Sequence, residues 1–88
     1  MRQFTDNDPG YLEWIAQHPD AFVLNSYRKP THEYLKLHQA SCRTVTKLPV
    51  NGRHWTVDYL KTCGGRAELE SWADQVVDGT AKLCRFCL

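Results

Sequence analysis

A chain of 88 residues, 42% hydrophobic and 24% charged, is one domain: it can build a single core, but conformational entropy cancels most of what burial contributes. It holds no apolar stretch long enough to span a membrane, and residues 1–8 have none of the apolar character of a signal peptide, so reduced thiols and a cytoplasmic location are the expectation for the four cysteines. A net charge of +1 excludes a chain that is basic throughout, and any polyanion-binding surface has to come from local segregation of charge.

In chain order, Asp8 reads as a helix N-cap with Pro9 at the first helical position, and Tyr11, Leu12, Ile15 and Ala16 give an apolar stripe that His18-Pro19 ends. Residues 21–26 read as a short strand, and Arg28-Lys29-Pro30 as a turn whose two bases face solvent. Residues 33–38 admit two patterns. Thr31 could cap a helix, whereas alternation of Tyr34, Lys36 and His38 against Leu35 and Leu37 fits a strand, which is the reading adopted. Gln39-Ala40-Ser41 is then a tight turn presenting Cys42, and residues 43–46, rich in β-branched side chains, continue as extended chain. Residues 48–53 form a loop with an Asn51-Gly52 turn, and residues 54–63 hold one or two strands. Gly64-Gly65 breaks the last of these. A helix follows over residues 66–77, with Leu69, Trp72, Ala73 and Val76 on one stripe and Gly79 as its stop; Trp72 is expected in the core.

The chemistry lies in His38-x3-Cys42 and the distant Cys84-x2-Cys87. Two chelating pairs of imidazole and thiolate donors suit one tetrahedral Zn²⁺ and need only one long loop to be closed. Two disulfides would be the default in a small secreted protein, but the absence of a signal-like start speaks for the metal. Cys63 is an alternative to His38 as fourth ligand: softness favours the thiol, spacing favours the imidazole. A third reading makes Cys63 a reactive thiol activated by Lys61 and Arg66. His18, His32 and His54 have no partner at ligand spacing, and no catalytic constellation is visible.

The segment Leu37-His38-Gln39-Ala40-Ser41-Cys42-Arg43, a strand, a short Glu- and Ala-containing helix, and the terminal Cys84-Arg85-Phe86-Cys87 together resemble the metal-binding domain of Ada-type DNA-repair proteins and related zinc modules attached to bacterial nucleases. The resemblance covers about Tyr34 to Leu88, so residues 1–33 read as an N-terminal helix and strand extension and residues 34–88 as the Ada-like part. The stretch between Cys42 and Cys84 is longer than in that family. In the family the first ligand is a cysteine whose zinc-bound thiolate accepts a methyl group from a DNA phosphotriester. His38 stands at that position, and imidazole lacks the thiolate's nucleophilicity, so that transfer is not expected. Three thiolates and one neutral imidazole make a closed, formally anionic site with no open position for an activated water, which implies a structural ion and no enzyme.

The fold expected is therefore α+β, a short, mostly antiparallel sheet stapled by zinc, with an N-terminal helix and a second helix before Cys84-x2-Cys87. Between Ala21 and Arg66 eight basic residues face only Glu33 and Asp58, which points to a nucleic-acid-binding module, DNA first, of a bacterial repair, restriction or regulatory system. The expected contacts are Arg28, Lys29, Arg43, Lys47, Arg53, Lys61 and Arg66, with Tyr27 and Trp55 as possible stacking platforms and Arg85 neutralising the thiolates beside it. The alternative is a zinc-stapled protein-interaction adaptor or small inhibitor, which calls for an exposed patch including Phe4, Tyr11 or Trp14.

Overall fold

A computed structural model, which describes residues 1–46 and 55–88, builds the chain around a five-stranded mixed sheet with a helix on each side, an α+β architecture. The elements are β1 (Arg2–Phe4), α1 (Asp8–Gln17), β2 (Phe22–Tyr27), β3 (Leu35–Gln39), the single turn α2 (Arg43–Thr46), β4 (Tyr59–Gly64), α3 (Arg66–Trp72) and β5 (Lys82–Leu83). Spatial order is β1-β4-β2-β3-β5, antiparallel throughout except for β3 with β5.

β2, from the segment outside the resemblance, is the central strand, hydrogen-bonded to β3 on one side and β4 on the other. Its residues Val23 to Ser26 are all buried, as expected of a strand covered on both faces. The flanking strands share a pattern, Tyr34-Leu35-Lys36-Leu37-His38 in and before β3 and Tyr59-Leu60-Lys61-Thr62-Cys63 in β4. Register through β2 aligns them: His38 and Cys63 both pair with Val23, and Lys36 and Lys61 both pair with Asn25. Because strand side chains alternate faces, leucine goes to one face at Leu35, Leu37 and Leu60 while Tyr, Lys and His or Cys go to the other.

The leucine face meets α3. Leu24, Leu35, Leu37, Leu69 and Ala73 form one buried cluster. The opposite face is closed by α1 and the ligand loops, with Phe4, Tyr11, Ile15, Val23, Ala40, Cys42, Val45, Cys63 and Cys84 in a second.

Five local expectations change. The N-cap of α1 is Asn7, whose side chain accepts from the Gly10 N–H at 3.0 Å. Asp8 sits inside the first turn and accepts instead from the Thr56 N–H (2.8 Å) and hydroxyl (2.5 Å), tying the helix start to the chain before β4. Residues 43–46 are helical, not extended. Tertiary contacts override the β-branched composition there: Val45 is buried, its carbonyl accepts from the Tyr11 hydroxyl at 2.7 Å, and the Thr46 hydroxyl bonds back to the Cys42 carbonyl at 3.0 Å. After Trp72 the helix widens into a π turn over Ala73–Val77, which displaces the apolar stripe by one residue. Val76 is consequently exposed, and Val77 packs on the leucine cluster in its place. Asp78, at φ 58°, ends the helix, and Gly79 follows where a Cβ would come within 2.7 Å of the Leu35 side chain. Trp72 is half-buried at the edge of that cluster.

β1 and β5, of three and two residues, are too short to show a periodicity and were not foreseen. The expected Asn51-Gly52 turn, with Lys47, Arg53 and His54, lies outside the described residues.

Candidate metal centre

His38 stands near the end of β3 on the face away from α3. The chain then turns, with the Cys42 N–H donating to the Gln39 carbonyl at 3.0 Å and the Ala40 N–H to the Ala21 carbonyl at 2.9 Å, which brings Cys42 back beside the strand. Cys84 arrives through β5: parallel pairing continues past the strand, its N–H donating to the Leu37 carbonyl at 2.9 Å, and so lays it next to His38. One more turn, closed by the Leu88 N–H on the Cys84 carbonyl at 2.9 Å, presents Cys87.

The donor atoms of His38, Cys42, Cys84 and Cys87 all lie within 4.8 Å of one another, with Cys42 Sγ and Cys84 Sγ 4.0 Å apart. A tetrahedron with metal–sulfur bonds of about 2.3 Å has edges of about 3.8 Å, so this group is close enough to hold one metal ion after small side-chain adjustments. All four cysteines are free of disulfides. Backbone N–H groups aim at the sulfurs, that of Gln39 at Cys87 Sγ (3.3 Å) and that of Phe86 at Cys84 Sγ (3.4 Å).

Electrostatics prepare the imidazole and frustrate the thiols. Burial, assisted by Lys61 and Lys36, pushes the His38 pKa down to about 4, so its ring is neutral and has a lone pair to give. At Cys84 burial works upward, but N–H donors from Phe86 and Cys87 outweigh it and hold the thiol below its usual range. Burial, together with the neighbouring Cys42 and Cys84, pushes Cys87 up to about 12 despite the Gln39 N–H. Three sulfurs this close cannot all be thiolates without a cation among them, which is what a divalent ion would supply.

Cys63 stands outside the group. It shares a row with His38 but with β2 between them, roughly 10 Å at normal strand spacing. Its side chain is fully enclosed, and burial pushes its pKa up to about 12 against the opposing pull of Lys61 and Arg2. The expected lowering of that pKa is reversed, because desolvation of the thiolate exceeds the attraction of the nearby charges.

The expected basic contacts separate. Lys61 is 2% exposed; its ammonium donates to Asn25 Oδ1 at 2.6 Å, lies 5.6 Å from the Tyr59 ring centre, and is pushed down to about 8 by burial. It is an interior residue, since its strand position faces the core. Arg28 is exposed but clamps Asp6 through two hydrogen bonds of 2.9 and 2.7 Å and donates to the Val57 carbonyl at 2.6 Å. Arg66 pairs with Glu70 at 3.5 Å along α3. Lys47 and Arg53 lie outside the described residues. Lys29 and Arg43 are exposed. Arg43 lines a groove of about 510 Å³ with Gln39, Ser41, Cys42, Phe86 and Cys87.

Sequence reasoning passed over Phe86, which is 69% exposed between two of the ligands, with Arg85 exposed beside it. The available signal was its place in a loop of two residues between cysteines, where a ring has no interior to enter. Of the two stacking platforms considered, Trp55 is half-buried against the metal-side core, and Tyr27 is exposed and grouped with Tyr34 and Tyr59. No described helix is long and apolar enough to cross a membrane. No family model matches the chain, and neither a curated protein nor a solved structure matches it significantly.

Proposed function

We propose that His38, Cys42, Cys84 and Cys87 hold one structural Zn²⁺ and that the module so stapled binds nucleic acid, DNA in the first instance. The donor set supports zinc: three thiolates and an imidazole on buried or half-buried backbone, with N–H groups aimed at sulfur, favour a borderline-soft tetrahedral ion and leave it no open position. The observation that carries the binding reading is the groove beside the ligands, lined by exposed Arg43 and the solvent-exposed ring of Phe86 and by no acidic side chain among the described residues. A guanidinium can grip phosphate in two-pronged fashion, and an exposed ring can stack on a base. The protein-interaction alternative draws less support, since of the three side chains named for its exposed patch Phe4 and Tyr11 are buried and Trp14 is half-buried.

Metal analysis of the purified protein is expected to find one zinc per chain, lost in His38→Ala and kept in Cys63→Ala; the reverse pattern would refute the ligand assignment. Titration with duplex and single-stranded DNA at two salt concentrations tests the binding. Affinity is expected to fall steeply with salt and to drop in Arg43→Ala, whereas absent or salt-insensitive binding rejects the reading.

A further inference from the structure

The metal-side face of the sheet carries a second set of residues, about four strand positions, or roughly 13 Å, from His38. Tyr27 pairs with Tyr59 across β2 and β4, and Tyr34 stands just before β3 beside them. Their rings form a triangle with centroid separations of 5.4, 5.6 and 6.4 Å, and Tyr27 is 44% exposed. Asn25 Nδ2 donates to the Tyr34 hydroxyl at 2.9 Å and fixes that ring from below.

In the next row Lys36 is in direct register with Lys82 on the parallel strand β5. Like charges side by side on one face are unfavourable, and neither lysine has an ion-pair partner among the described residues. Both line a cavity of about 210 Å³ together with His32, Glu33, Tyr34 and Thr80. An anion bridging the two ammonium groups would relieve their repulsion. Cations are disfavoured as occupants of the tyrosine triangle, because the Lys61 ammonium already lies 5.6 Å from the Tyr59 ring centre and Lys36 and Lys82 stand alongside.

We propose that Tyr27, Tyr34 and Tyr59 with Lys36 and Lys82 form a second site, apart from the metal loops, that takes single-stranded nucleic acid, an unpaired base on the rings and its phosphate on the lysines. Tyr34 and Lys36 are two residues apart on one face, roughly 7 Å, the scale of one nucleotide from base to phosphate. Stacking requires the base to be unpaired, which sets this site apart from one that grips a duplex backbone. The inference rests on the nucleic-acid reading above.

The test is fluorescence anisotropy on the full zinc-loaded chain, with labelled oligo-dT and oligo-rU of about a dozen nucleotides and a duplex of equal length, the two oligomers separating DNA from RNA as the source. Tyr27→Ala is expected to weaken single-strand binding about tenfold, Tyr27→Phe to keep it, and the double variant Lys36→Gln with Lys82→Gln to weaken it and flatten its salt dependence, all at unchanged zinc content. The lysine variant, at solvent-accessible positions, keeps the test sound should Tyr27→Ala fold poorly. Single-strand affinity unchanged in these variants but abolished by Arg43→Ala with Phe86→Ala would overturn the second site and leave the nucleic-acid reading standing. Equal losses on duplex and single strand in Tyr27→Ala would overturn base stacking. Failure of the unmodified protein to bind any of the probes would overturn both.

Discussion

On one face of the sheet Leu69 of α3 and Ala73 of the π turn pack onto Leu24, Leu35 and Leu37, with Phe22 and Trp72 at the edge of this largely aliphatic contact. On the other, α1 and the ligand loops bring together Phe4, Tyr11, Ile15 and Val45 with three cysteines, and Asn25 and Lys61 are buried in the same layer of side chains. The aliphatic face is stabilised mainly by burial, at about 25 cal/mol per Å² of apolar surface. The mixed face buries groups that resist desolvation, so its cohesion depends on specific partners, Lys61 on Asn25 and Asp8 on Thr56, and it carries the His/Cys group close enough to hold a metal ion. A domain of this size can therefore keep its chemistry on one side of the sheet and its leucine packing on the other.

The largest expected effect breaks the mixed face. A zinc chelator under reducing conditions is expected to abolish the cooperative melting transition, since structural zinc contributes on the order of 10 kcal/mol to small domains, and added Zn²⁺ should restore it. A melting curve unmoved by chelation would show that the apolar contacts suffice. Next comes the aliphatic face: Leu37→Ala should cost about 3 kcal/mol in denaturant unfolding while metal stoichiometry stays at one, because Leu37 points away from the ligands. Loss of metal in that variant would mean the two faces are not separable.

The smallest effect concerns Lys61, whose ordinary pKa of 10.5 is lowered to about 8 in the fold. Between those values the unfolded chain holds a proton that the folded chain has released, so stability rises as pH climbs through the window; below it both states are charged and the full burial cost is present. The stability gap between the wild-type protein and Lys61→Met should therefore shift in favour of the wild type by about 2 kcal/mol from pH 7 to pH 10. A gap independent of pH would place the ammonium in contact with solvent.

The elements legible in the chain were those with a long enough pattern: the stripe of α1, the strands β2, β3 and β4, and the Leu69-Trp72-Ala73 stripe of α3. The π turn that exposes Val76 was not legible, because the stripe is displaced by a single residue with no local marker. The ligand group was legible because chelating pairs obey spacing rules along the chain, even though its two halves lie far apart in sequence.

Charge was the least legible property. Arg28, Lys61 and Arg66 look alike as letters in a basic stretch, yet one clamps Asp6, one is interior and one pairs along a helix. Sequence by itself determined the α+β class, the two core stripes and the five side chains, His38, Cys42, Cys63, Cys84 and Cys87, from which four could meet a metal, since each follows from periodicity, spacing or donor type. Only the tertiary structure decided that Cys63 is separated from the ligands by β2, that three tyrosines converge, and that Lys36 faces Lys82, because these depend on strand order and register, which join residues with no local relation in the chain.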